Sequence, residues 1–320
     1  MNKTLTTLLV GTVSTLALGT AAQASPFDVH PVSFMSGENR IAANLYVPAQ
    51  VQGRRPAVVV TGSWTSVKEQ NPAQYAERLA ARGYIVLTMD HTGFGASDGA
   101  VRTFENPFQK VADVKAGITF LTDLEAVDSG AINGLGICAG GGYMARVAAE
   151  DGRLNAVATV AGWYTDQTLY RGFFGAGYQA LAQAGDAADR RFHETGEVVT
   201  RAAVSDGSTP AAMSVQIAAD YYDGRARLGG WTNSWADMSY KAIFAFETIP
   251  LAGQITAPAL VVHADNAITP DAARRHFAAI GTLEKELVWL GDANQFQFYD
   301  DPAVVERAAD AIATWFGRHR

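Results

Sequence analysis

Short apolar runs alternate with stretches of helical spacing along most of this chain. Runs at residues 40–47, 57–61, 85–90, 131–136, 156–161, 259–263 and 286–290 are the length of buried strands, and a weaker run covers 29–35. Between them, Val111, Val114, Ile118 and Leu121 repeat at helical spacing behind Asn106-Pro107, and Val305, Ala308, Ile312 and Trp315 do so behind Asp301-Pro302. A third helix opens at Thr269-Pro270 and closes at Gly281. Strand and helix in alternation predict an α/β domain, a mostly parallel eight-stranded sheet covered by helices. From about 163 to 254 the rhythm stops: aromatic, glycine and charged residues mix with helical fragments and no strand stands out. A loop of that length does not stay structureless in a compact domain, so the segment reads as a helical cap inserted over the sheet.

The N-terminus has another pattern. Lys3 precedes a stretch of apolar and small residues from 5 to 21, and Ala22-Gln23-Ala24 stands before Ser25-Pro26. This is the layout of a secretory leader cut after Ala24, and it predicts a bacterial protein of the periplasm or the medium. Threonines and glycines dilute the stretch too far for a membrane span, so none is expected once the leader is removed. The domain then occupies residues 25–320.

Composition narrows the classes. The net charge is −7 and no basic patch is present, which argues against a nucleic-acid partner. No cluster of His, Asp and Glu has ligand spacing, so neither a metal nor another cofactor is called for. A single cysteine, Cys138, excludes an intramolecular disulfide.

That cysteine sits in the segment with the clearest chemistry. The strand at 131–136 runs into Gly136-Ile137-Cys138-Ala139-Gly140-Gly141, followed by a helical pattern. Small-x-nucleophile-x-small between strand and helix is the nucleophile elbow of α/β hydrolases, a turn so tight that only glycine-sized residues fit at its flanks. The helix N-terminus is expected to stabilise a Cys138 thiolate, and the Ala139 N–H to supply half of an oxyanion hole. The other half falls in Gly62-Ser63-Trp64-Thr65, from the N–H of Ser63 or Trp64. The plainer reading makes Cys138 a small buried hydrophobe in a glycine-rich turn.

In this fold an acid follows a late strand and a base the last one. Asp265 ends the strand at 259–263 and is the acid candidate; Asn266 is close enough to fill the slot, and a turn-capping role is the alternative for Asp265. After the last strand the chain reads Gly291-Asp292-Ala293-Asn294-Gln295, with Gln295 where a histidine belongs. An amide does not accept a proton near neutral pH. Among the other histidines only His91, after the fourth strand, has a position suited to substitution.

The motifs Ser63-Trp64-Thr65-Ser66-Val67-Lys68-Glu69-Gln70, Gly93-Phe94-Gly95-Ala96-Ser97-Asp98-Gly99, Glu105-Asn106-Pro107, Gly136-Ile137-Cys138-Ala139-Gly140 and Phe298-Tyr299-Asp300 resemble the dienelactone-hydrolase-related α/β hydrolases, including their polyketide-transferase-like branch. The resemblance implies an α/β-hydrolase fold, a cysteine nucleophile and acyl chemistry on small-molecule esters, lactones or thioesters. Many members carry histidine a few residues before Tyr-Asp, where Gln295 stands here. Two functions follow: an acyl-enzyme former short of its base, or a catalytically impaired protein that binds a small apolar ligand among Trp163, Tyr164, Phe173, Phe174, Tyr221, Tyr222 and Trp231.

Overall fold

The computed structural model describes residues 25–50, 52–228 and 230–320; the leader reading at 1–24 lies outside them. In chain order come β1 (Phe27–Ser36), β2 (Asn39–Pro48), β3 (Arg55–Thr61), α1 (Asn71–Ala81), β4 (Ile85–Met89), α2 (Pro107–Thr122), β5 (Val127–Ile137), α3 (Ala139–Glu150) and β6 (Val157–Val160). The segment above the sheet holds α4 (Gln167–Phe174), α5 (Tyr178–Thr195), β7 (Thr200–Ser205), β8 (Ala211–Ser214), α6 (Gln216–Ala219), β9 (Trp235–Ala236) and α7 (Ser239–Phe244). The chain closes with β10 (Ala259–His263), α8 (Pro270–Ala279), β11 (Lys285–Trp289), α9 (Gln297–Asp300) and α10 (Pro302–Arg318).

Eight strands form one sheet in the order β1-β2-β4-β3-β5-β6-β10-β11. The pairs β1–β2 and β2–β4 are antiparallel and the rest parallel. The central strands are continuous apolar runs because helices cover both faces. Val58, Val60, Leu135 and Leu260 pack with α1 and α10 on one side, and Val59, Leu87, Ile132 and Val261 with α2, α3 and α8 on the other. This is the α/β-hydrolase fold.

Helix starts follow local chemistry. The Asn106 side chain accepts from the N–H groups of Phe108 and Gln109, and Asp301 does the same for Ala303 and Val304. Such a cap contributes about 1 kcal/mol. Thr269 does not cap α8: its backbone is left-handed (φ 52°) and its hydroxyl makes no capping bond.

Two expectations need correction. The weak run near 29–35 is a full ten-residue strand, paired with β2 along its whole length; it reads weakly because most of its residues are exposed at the sheet edge. The segment above the sheet is not purely helical, since β8, β7 and β9 form a small sheet of their own. β9 has two residues and β8 only four, too short for an alternating pattern to register in sequence. Among the described residues, no helix is long and apolar enough to cross a membrane.

Candidate active site

Cys138 stands between β5 and α3 with φ 56° and ψ −121°, a strained conformation for a residue with a side chain. The flanking glycines are required by contact. A Cβ on Gly136 would lie 2.2 Å from the Gly140 carbonyl oxygen, and one on Gly140 would lie 2.3 Å from that of Thr61. The Cys138 N–H donates to Val160 O at 3.0 Å, and its carbonyl accepts from Gly141 and Trp163, each at 2.8 Å. The turn is thus clamped to β6, and the thiol is left half-buried.

The loop after β3 faces this elbow. The Ser63 N–H reaches Asn71 Oδ1 at 3.4 Å and the Thr65 N–H donates to Glu105 Oε2 at 2.9 Å; among the described residues nothing accepts from the Trp64 N–H between them. Thr65 has φ 62°, a left-handed position stabilised by the bond to Glu105. Glu105 is fully buried; its Oε1 accepts from Tyr143 Oη at 2.7 Å and lies 2.5 Å from Lys110 Nζ, an ion contact without hydrogen-bond alignment. Because Tyr143 belongs to α3, Glu105 ties the loop to the nucleophile's helix. Lys68 and Gln70 anchor the far end of the loop on Asp90 and Ala226 O, at 2.8 and 2.9 Å.

Cys138 opens on a cavity of about 480 Å³ between the sheet's upper edge and the segment above it. Trp64, Trp163, Phe173, Phe174, Met213 and Ile217 form much of its wall. Trp163 packs edge-on against Trp64 and Phe173, with ring centroids 5.7 and 4.8 Å away. Among the described residues that line it, none is Asp, Glu, Lys, Arg or His. The aromatic cage expected of the inserted segment is only partly here: Tyr222 lines the cavity, while Tyr164 stacks on His276 and Trp231 packs on Tyr222 behind the wall.

Gln295 is buried beside Cys138 and fixed in orientation. Its Oε1 accepts from the Ile268 N–H at 2.9 Å, and its Nε2 donates to Ala161 O at 3.0 Å and to Tyr299 Oη at 3.1 Å. Tyr299 lines the same cavity wall as Cys138 and Gln295. Sequence reasoning assigned Tyr299 no role; the signal was its place four residues after Gln295 in Phe298-Tyr299-Asp300. Burial pushes the thiol up, and hydrogen bonds from Tyr299, the Ala139 N–H and Gln295 offset that only in part. This runs against the expected thiolate: burial outweighs the polar groups around the thiol that favour its charged form. Burial likewise holds the Tyr222 and Tyr299 phenols well above their ordinary range.

Asp265 is not brought to the cavity. It projects into solvent, 59% exposed, and pairs with Arg274 at 3.1 Å. Asn266 lines the cavity instead, with its Nδ2 donating to Asp292 O at 2.9 Å. Asp265 and Asn266 both lie in the turn after β10, where Asn266 forms a bridge with Asn294. Asn266, Asn294 and Gln295, all amides, line this side of the cavity. His91 is buried behind the loop, 2.8 Å from Thr61 Oγ1 and 3.3 Å from Asp113, outside the cavity. His263 stacks on Trp289 and bonds to Ala264 O.

Residues 36–294 match the family described as X-Pro dipeptidyl-peptidase (S15 family). The chain belongs to the S15 family. Among the relatives of this S15 chain, YcjY of Escherichia coli (strain K12) is 27% identical over 297 residues, 89% of this chain and 97% of its own. The structure of PA2218 from Pseudomonas aeruginosa superposes with a TM-score of 0.82 at 23% identity, covering 94% of this chain and 96% of that one. The α/β hydrolase GrgF from Penicillium sp. sh18 gives 0.76 at 20%, covering 92% and 99%. The S15 match, with relatives named as a hydrolase, a thiohydrolase and an acyltransferase, places the chain among hydrolases or acyltransferases. The dienelactone-hydrolase-related branch read from the motifs is a finer placement than these matches reach.

Proposed function

We propose that this S15-family chain is exported and forms an acyl-enzyme at Cys138 from a neutral, apolar ester, lactone or thioester, as the dienelactone-hydrolase-related branch would. The observation that carries this reading is the cysteine itself, held at a strained elbow on the edge of an uncharged aromatic cavity. The Trp64 and Ala139 N–H groups are the donors suited to the oxyanion, because those of Ser63 and Thr65 are already engaged. A dipeptidyl-peptidase must hold a free α-ammonium, and among the described residues no carboxylate lines this cavity to receive one. An uncharged acyl group suits it better.

Acylation joins Sγ to the carbonyl carbon and expels the alcohol or thiol with the thiol proton. Deacylation by water needs a base, and Asn266 and Gln295 supply none. The acyl-enzyme then accumulates. Export rests on the leader-like residues before Ser25.

A second reading, a binding protein that has lost turnover, is favoured by the raised thiol and the two amides. One experiment separates them: purified protein is mixed with p-nitrophenyl esters, lactones and thioesters while intact mass and product release are followed. The first reading expects one acyl mass on Cys138, a burst of one product per chain, loss of both in Cys138→Ala, and turnover about 10²-fold faster or more in Gln295→His. Saturable binding with no adduct from any substrate class establishes the second reading instead.

A further inference from the structure

An attacking thiol must lose its proton, and none of the amides around Cys138 takes one. Among the described residues, the hydroxyls lining the cavity are those of Ser214, engaged with the Ala211 backbone, Tyr222 and Tyr299. Tyr222 Oη is engaged with Ser63 Oγ, which also accepts from Asn71 Nδ2 at 2.6 Å. Tyr299 is differently placed. Ile268 N–H needs the Gln295 carbonyl and Ala161 O needs its amide, so Gln295 is not free to flip and its remaining hydrogen goes to the Tyr299–Cys138 pair. Tyr299 Oη thus accepts from Gln295, and its own hydrogen is left for a group in the cavity that Tyr299 and Cys138 both line.

We infer that Tyr299 is a catalytic residue that relays the thiol proton to the leaving group, doing without a base what the missing histidine would do with one. This rests on the Cys138 acyl-enzyme reading above. As Sγ bonds to the carbonyl carbon, its proton passes to Tyr299 Oη, and the proton already on Oη passes to the leaving oxygen or sulfur. The carbon–heteroatom bond breaks with its electron pair on that atom, which takes the proton. Tyrosine ends neutral and Cys138 ends acylated, so neither side chain is left charged in the uncharged cavity.

A burial-raised phenol suits this role, since it is protonated both before and after the exchange. The titratable and charged groups facing the pair are Tyr222 and Tyr221 from the segment above, the latter with its ring 5.1 Å from that of Tyr299. Glu105 with Lys110 lies beneath the elbow, and Asp300, next to Tyr299, pairs with Arg225. Among the described residues no histidine lines the cavity.

The test is the acylation rate constant for a p-nitrophenyl ester, followed by intact mass in wild type and Tyr299→Phe. The relay works from the neutral thiol, so the wild-type rate is flat between about pH 6 and 8. Tyr299→Phe lowers it about 10²-fold or more, and the residual reaction, now dependent on thiolate, rises about tenfold per pH unit. Thermal unfolding and binding of an unreactive apolar amide establish that the variant is folded. If it is not, the solvent deuterium isotope effect on wild-type acylation decides: a relay with two protons in flight gives a rate clearly slower in heavy water, and equal rates overturn it. Acylation of Tyr299→Phe within about threefold of wild type, or a wild-type rate that itself climbs tenfold per unit, overturns the relay alone. Failure of wild type to acylate at all overturns the Cys138 reading and the relay with it.

Discussion

Glu105→Ala should cost this protein much of its stability. Glu105 is fully buried and its carboxylate serves three partners: the Thr65 N–H at 2.9 Å, Tyr143 Oη at 2.7 Å and Lys110 Nζ at 2.5 Å. Removing it strands an ammonium whose side chain is 2% exposed, with only the faces of Phe94 at 4.3 Å and Tyr143 at 5.7 Å left to it. Stranding one member of a buried ion pair costs about 3–5 kcal/mol. The orphaned Thr65 N–H adds about 1–3 kcal/mol, less than additively because both groups share one site. A loss of about 4 kcal/mol or more is therefore expected, against a total of about 5–15 kcal/mol for a typical domain. Equilibrium urea denaturation of wild type, Glu105→Ala, Lys110→Met and the double variant Glu105→Leu/Lys110→Met measures it. The double variant should recover a large part of the loss, since no lone charge remains buried. A Glu105→Ala cost below about 1 kcal/mol, or a double variant as unstable as the two singles combined, would show that the pair does not act as described. Acylation should also slow in Glu105→Ala, because Thr65 adjoins the Trp64 N–H.

Gly140→Ala places a Cβ 2.3 Å from Thr61 O and 2.6 Å from Gly62 O, both backbone atoms, so denaturation should report a loss of about 3 kcal/mol or more. Asp265→Asn should change acylation by less than about twofold and stability by less than about 1 kcal/mol, because it removes an exposed pair with Arg274; a hundredfold drop in the mass assay would return Asp265 to the site. Burial lowers His276 from 6.5 to about 3, so between those values the unfolded chain holds a proton that the folded one does not. Its contribution to stability is fully present above pH 6.5 and lost as pH falls towards 3, about 2–3 kcal/mol of it by about pH 4.5. Burial lowers His91 and His263 in the same direction. Urea denaturation at pH 7 and about pH 4.5 checks the slope, and His276→Gln should flatten it.

What the sequence by itself determined was local or periodic. The elbow was legible because two glycines at fixed offsets from a nucleophile leave one backbone geometry possible, and the contacts at Gly136 and Gly140 give the reason. Asn106-Pro107 and Asp301-Pro302 marked helix starts because capping is settled within four residues. The apolar runs gave the central strands because a sheet covered on both faces needs uninterrupted hydrophobicity.

Tertiary structure decided the rest, wherever the deciding neighbour is far along the chain. Whether Asp265 or Asn266 turns to the cavity depends on how the end of β10 meets Asn294, a register set by the sheet. Tyr299 and Cys138, 161 positions apart, come to line one cavity, and Gln295 is oriented by Ile268 and Ala161 from two other loops. The thiol's elevation has the same origin: the helix behind it is local, but the aromatic wall that desolvates it comes from a segment inserted after β6. Burial is a property of the assembled neighbours, and at Cys138 it outweighs what the local motif alone implies.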